Sequence, residues 1–160
     1  MENQPTNLPQ YQNLAEASGN LKYITLNDLI EQSYERFIDE SSKDNFHIIL
    51  SIEDKTISKL KSLLSSRYDI AKIFNEETPI KSDLLVEIIA TITVYKIFKR
   101  NAPRKINSQM VEDYNEANRN LEKLATGRLV LNDLPKPTDE NGNTKTDSIY
   151  FNNSNRNFYI

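Results

Sequence analysis

The side chains able to do chemistry in this 160-residue chain are few and scattered. There is no cysteine, so thiolate nucleophiles, disulfides and Cys-ligated zinc are excluded and the redox compartment stays open. His47 is the single histidine. Without a cysteine or a second histidine to complete a ligand set, it reads as a surface or packing residue and not as a metal ligand. None of the three glycines stands in a G-x-G-x-x-G or G-x-x-x-x-G-K-[ST] frame, which removes the usual phosphate cradles, and no G-x-S-x-G marks a serine nucleophile. Asp139, Asn141 and Asn143 mimic the first three ligands of a calcium loop. The motif then fails, because Thr144 stands where glycine is wanted and Tyr150 where a bidentate glutamate belongs. Asn141-Gly142 is better explained as a tight turn. The expectation is a protein that is not an enzyme, with no catalytic residues, no metal and no cofactor.

Charge and aromatic content offer binding instead. Lys96, Lys99, Arg100, Arg104 and Lys105 place five cations within ten residues, with no acid among them. One reading is a patch for an acidic partner, either nucleic acid or an acidic protein rim. The other is that Lys99 and Arg100 complement the dipole at a helix C-terminus. Both stand at this point, and Lys99, Arg100, Arg104 and Lys105 are candidate partner-binding residues. Tyr150, Phe151, Phe158, Tyr159 and Ile160 join them, since a solvated tail rarely keeps so many apolar groups near its end. Arg67-Tyr68-Asp69 reads as the close of a helix, with a buried tyrosine and an arginine capping carbonyls. The whole chain carries 20 basic and 23 acidic residues, a net charge of -3, and nothing global points to nucleic acid. Mean hydropathy is -0.63. The stretch Leu84 to Phe98 is interrupted by Glu87 and Lys96, too short and too charged for a bilayer span. Met1 is followed by Glu-Asn-Gln-Pro with no basic or apolar leader region, so no signal peptide is expected. The frequency of asparagine, isoleucine and lysine fits an A+T-rich genome as well as any structural need.

Helices must position these groups. Residues 1–20 read as a polar arm without helical or strand period. Thr25 is an expected N-cap with Asp28 three residues on. Leu26, Leu29, Ile30, Tyr34, Phe37 and Ile38 then recur at threes and fours, a helix of about three turns. Phe46 to Leu50 reads as a connector or the lead-in to a second helix, expected from Ser51 with Asp54 as its acid. Ile57, Leu60, Leu63, Leu64 and Tyr68 are its buried stripe, with Lys55, Lys59 and Lys61 on or near the wet side. Residues 69–81 read as a loop pinned by Ile70, Ile73 and Phe74. Residues 83–98 are apolar nearly all round; their β-branched content permits a strand, but about sixteen residues without turn signals favour a central helix closed by Pro103. A fourth helix is expected from Gln109 to Ala125, with Met110, Tyr114, Ala117, Leu121 and Leu124 inward and Gly127 at C′. Tyr95 and Leu121 are expected core positions. The fold is thus an all-α compact bundle of about four helices, a body over 21–131 between a flexible N-terminal arm, 1–20, and an extended C-terminal docking arm, 132–160.

The order of signals resembles a known family. Tyr23-Ile24-Thr25 with Asp28-Leu29 opens it, and Arg67-Tyr68-Asp69 with Ile73-Phe74 follows. Ile92 to Tyr95, Asn101-Ala102-Pro103-Arg104-Lys105, Tyr114 with Ala117 and Leu121, Gly127 and Leu134-Pro135 complete it. Over about residues 23–135 the chain looks like the small all-helical Mu-like head-to-tail connectors, the adaptor or head-completion proteins of tailed bacteriophages. The resemblance implies a structural virion protein that forms a ring, dodecameric in such connectors, under the portal. Its partners would be the portal protein, tail or neck proteins and further copies of itself. DNA would be only cargo through the channel, and no membrane would be involved. The expected location is the head-tail junction of the virion, and the host cytoplasm during assembly. The polar first twenty residues and the Asn-rich tail depart from the family pattern. An alternative function is a small nucleic-acid-binding or regulatory module using the cluster 96–105.

Overall fold

A computed structural model describes residues 20–33, 38, 46–100, 106–138 and 144. The all-α expectation holds: among these residues there is no strand, only an isolated antiparallel bridge between Thr138 and Thr144. The helices are α1 (Leu26–Gln32), α2 (Phe46–Leu64), the single turn α3 (Ile70–Ile73), α4 (Asp83–Arg100) and α5 (Ser108–Thr126). Neither terminal arm falls within the described residues, apart from Asn20 and the segment 132–138 with Thr144.

α4 is the axis of the body, packed against α1, α2 and α5. Leu85, Ile88, Ile89, Ile92, Val94 and Ile97 are buried along it. Its β-branched side chains lose rotamer freedom in a helix by a few tenths of a kcal/mol each, whereas burying each contributes about 1.5–3 kcal/mol, so burial decides the conformation. α1 begins as its sequence predicts. Thr25 Oγ1 accepts from Asp28 N while the Asp28 carboxylate accepts from Thr25 N, a complete capping box. α5 is capped by Asn107 at its start and closed by Gly127 with φ 75°, a left-handed conformation that suits glycine.

Several expectations need correction. α2 does not start at Ser51 but at Phe46, and Ser51 is an exposed position inside it. Ile49 and Ile52 continue the stripe of Ile57, Leu60 and Leu64 in phase, so the apolar run is the first turn and a half of the helix and not a connector. Leu63 leaves that stripe and is 39% exposed. The loop after Asp69 contains α3, whose N-cap is the Asp69 side chain. Tyr95 is half-buried rather than core; its ring stacks on Tyr114 at 4.0 Å between centroids. Leu121 is buried as expected. The core also reaches past Leu131, because Leu134 is buried. Tyr34 and Phe37 of the expected first helix and Pro103 lie outside the described residues.

Two irregular segments are fastened onto α2. At its middle the wholly buried Glu53 carboxylate accepts from the backbone N–H groups of Lys22, Tyr23 and Ile24 at 2.9 to 3.2 Å. The Tyr23 hydroxyl continues that anchor, donating to Ile80 O and accepting from Ser82 N. At the C-terminal end of α2, Arg67 Nε donates to Ala125 O at 2.9 Å and its Nη2 to Thr126 O, so it caps α5 and not its own helix. The buried Tyr68 hydroxyl accepts from Leu131 N, and Asp69 N donates to Pro135 O. Arg67-Tyr68-Asp69 is therefore a clasp that holds residues 125–135 against the body.

Candidate functional site

The expected basic cluster is redistributed by the fold. Lys99 and Arg100 are exposed on the last turn of α4, where they complement its dipole. Arg104 and Lys105 lie outside the described residues, as do Tyr150, Phe151, Phe158, Tyr159 and Ile160. Lys96 is turned inward and only half-exposed, its Nζ donating to Thr56 Oγ1 at 3.0 Å. Thr56 in turn donates to Ile52 O.

Lys96 acquires new neighbours from α2. Burial holds its ammonium pKa below the usual lysine value, and the charges of Lys59 and Lys55 push the same way. Lys59 reaches across to α5, donating to Asn118 Oδ1 at 2.9 Å. Lys55, Lys59 and Lys96 form a seam where α2, α4 and α5 meet, and none makes an ion pair among the described residues. The sequence places Lys55 and Lys59 on the wet side of a helix, but their approach to Lys96 requires two helices in register and is not visible in either segment alone.

Carboxylates gather elsewhere. A cleft of about 200 Å³ between α1, α4 and α5 is lined by Glu87, Asp113 and Glu116. A second, of about 320 Å³, has Glu31, Asp83 and Glu87 on its walls. The two share Gln32 and Glu87, so they run together. Another cleft of about 320 Å³ lies beside Tyr23 and Phe74, where Lys61 stands 5.6 Å above the Phe74 ring and Lys22 pairs with Asp54 at 3.0 Å.

The remaining candidates stay apart. His47 is exposed, and no cluster of potential metal ligands occurs among the described residues. Asp139, Asn141 and Asn143 lie outside them, although Thr138 and Thr144 on either side are paired. No described helix is long and apolar enough to cross a membrane. Sequence reasoning missed Glu53. A carboxylate in phase with Ile49, Ile57 and Leu60 signals a buried acceptor, because such a group must find donors or a counter-charge.

A family model described as Bacteriophage Mu, Gp36 matches residues 23–148. Comparison with curated proteins and with solved structures gives no significant match. The family match begins at Tyr23, the residue whose N–H and hydroxyl form the first anchor, and it includes the whole clasp. The chain belongs to this bacteriophage protein family.

Proposed function

We propose that this member of the Mu Gp36 family is a structural virion protein, a head-to-tail adaptor that forms a ring beneath the portal and links it to the tail while leaving a channel for DNA. The observation that carries the proposal is the family match over residues 23–148. The helical body suits the role physically. Its two irregular segments are tied to one helix, which leaves a small rigid block with charged faces to present to neighbours. Rings arise from heterologous contacts, in which one surface meets a different surface on the next copy. The protein would act in the virion at the head-tail junction without catalysis.

Electron microscopy of the full chain mixed with portal complexes tests this. The expected image has copies arranged around the portal axis. Failure to associate with the portal, together with tight binding to free duplex that falls steeply as salt rises, overturns it in favour of a nucleic-acid-binding module. The observation favouring that second reading is the lysine seam, without an ion pair among the described residues, together with the exposed Lys99 and Arg100 on the last turn of α4.

A further inference from the structure

We propose that the lysine seam of one copy docks onto the acidic clefts of a second copy of this chain, so that successive copies associate head to tail. The inference rests on the adaptor reading and names the two surfaces that such an assembly joins. Its basis is a charge separation across a single helix. Glu87 and Lys96 are nine residues apart on α4, and at 100° per residue they project about 180° from one another. Lys55 and Lys59 gather on the Lys96 side. Asp83, Asp113 and Glu116 line the clefts that Glu87 enters. One body thus carries complementary charge on opposite sides, the arrangement a heterologous contact needs.

The seam also concentrates like charge. Among the described residues, Lys96 and Lys59 have the Thr56 hydroxyl and the Asn118 amide oxygen as side-chain acceptors, and the charge of Lys55 bears on the same ammonium of Lys96. Like charges so placed repel, and an arriving carboxylate relieves them. Duplex DNA is the weaker candidate for that anion. The chain's net charge of -3 opposes a polyanion at long range, and two of the lysines are held inward to Thr56 and Asn118 rather than set along a phosphate path. The matching carboxylates are present on the same chain, and complementary potentials both steer encounter and fix register.

The absence of cysteine supplies the test. Ser62→Cys places a thiol one turn beyond Lys59 on the same side of α2, at an exposed position; Asn120→Cys places one on the wall of the acidic cleft. The two full-length proteins are mixed at low salt under mild oxidation, after thermal melts establish that each is folded. Head-to-tail docking yields chiefly the mixed dimer. Adding Lys55→Glu and Lys59→Glu to the first protein lowers its yield by about tenfold or more, and adding Glu87→Lys and Glu116→Lys to the second restores it. A yield no greater than that from Thr78→Cys in place of Ser62→Cys, or one indifferent to the charge reversals, overturns the proposal. So does a result in which the lysine reversals abolish retention of a duplex oligonucleotide while cross-linking is unchanged. Portal attachment is not read in this assay, so failure here is distinct from failure of the adaptor role.

Discussion

The segments that bracket the helical body are both tied to α2, by opposite means. Residues 22–24 hang on one buried carboxylate, that of Glu53, which receives three backbone donors. Residues 125–135 are held by three consecutive side chains or backbone groups, Arg67, Tyr68 and Asp69, each with its own acceptor or donor and each nearer to solvent. A concentrated anchor fails all at once, because removing its single acceptor orphans every donor it serves. A distributed one loses strength in steps.

Glu53→Ala is the largest test of that contrast. Three backbone N–H groups lose their acceptor at roughly 1–3 kcal/mol each when left unsatisfied, so a global loss of about 3–5 kcal/mol is expected in a denaturant melt. Glu53→Gln keeps one acceptor oxygen and should cost about half as much. A change below about 1 kcal/mol for the alanine variant would falsify the single-anchor account.

The clasp is probed next. Gly127→Ala sets a Cβ against the Arg67 guanidinium at a backbone φ of 75°. The left-handed conformation alone costs an alanine about 1–2 kcal/mol, and displacement of Arg67 adds the loss of its bonds to Ala125 and Thr126. A double-mutant cycle with Arg67→Ala should return the two parts separately: the backbone part persists and the steric part vanishes. If the Gly127→Ala cost is the same with or without Arg67, the guanidinium does not press on that turn.

Tyr68→Phe is smaller, about 0.5–1.5 kcal/mol for one hydrogen bond. Hydrogen exchange should show it as faster opening of Leu131 and its neighbours, with the amides of Lys22, Tyr23 and Ile24 unchanged. Faster exchange at both segments would mean that the two anchors are not independent.

The subtlest test uses pH. Burial raises the Tyr23 hydroxyl to about 12 from its usual 10. Its folded-state pKa lies above the unfolded one, so this contribution is complete below pH 10 and is lost as pH rises toward 12. Tyr23→Phe should remove that part of the alkaline decline and flatten the stability curve between those values.

Local chemistry was the part of this fold legible in the sequence. The Thr25–Asp28 capping box and the Gly127 cap depend only on neighbours, and both occur where expected. The spacing S-x-x-D at Ser51 misleads for the same reason: it satisfies the local pattern, yet the buried phase runs through it from Ile49 to Ile52. Tyr95 departs from the core because an aromatic on a helix nearly apolar all round gives no sign of which side another helix leaves open; Tyr114 stacks on one face of its half-buried ring. The lysine seam depended on the rotation of α2 against α4, a quantity absent from either segment. Glu53 is readable from its phase with Ile49, Ile57 and Leu60, which alone announces a buried acid.

The bond from Asp69 N to Pro135 O has a mechanical consequence. Tension applied to the chain beyond Thr138 enters the body at Leu134 and Pro135, and passes to the end of α2 before it can reach α5. The clasp therefore diverts load around the last helix and into α2, which the buried Glu53 also ties to residues 22–24. A pull on the C-terminal segment is borne by one continuous helix between two fastenings, and α5 keeps its place against α4 until the Tyr68 and Arg67 bonds have given way.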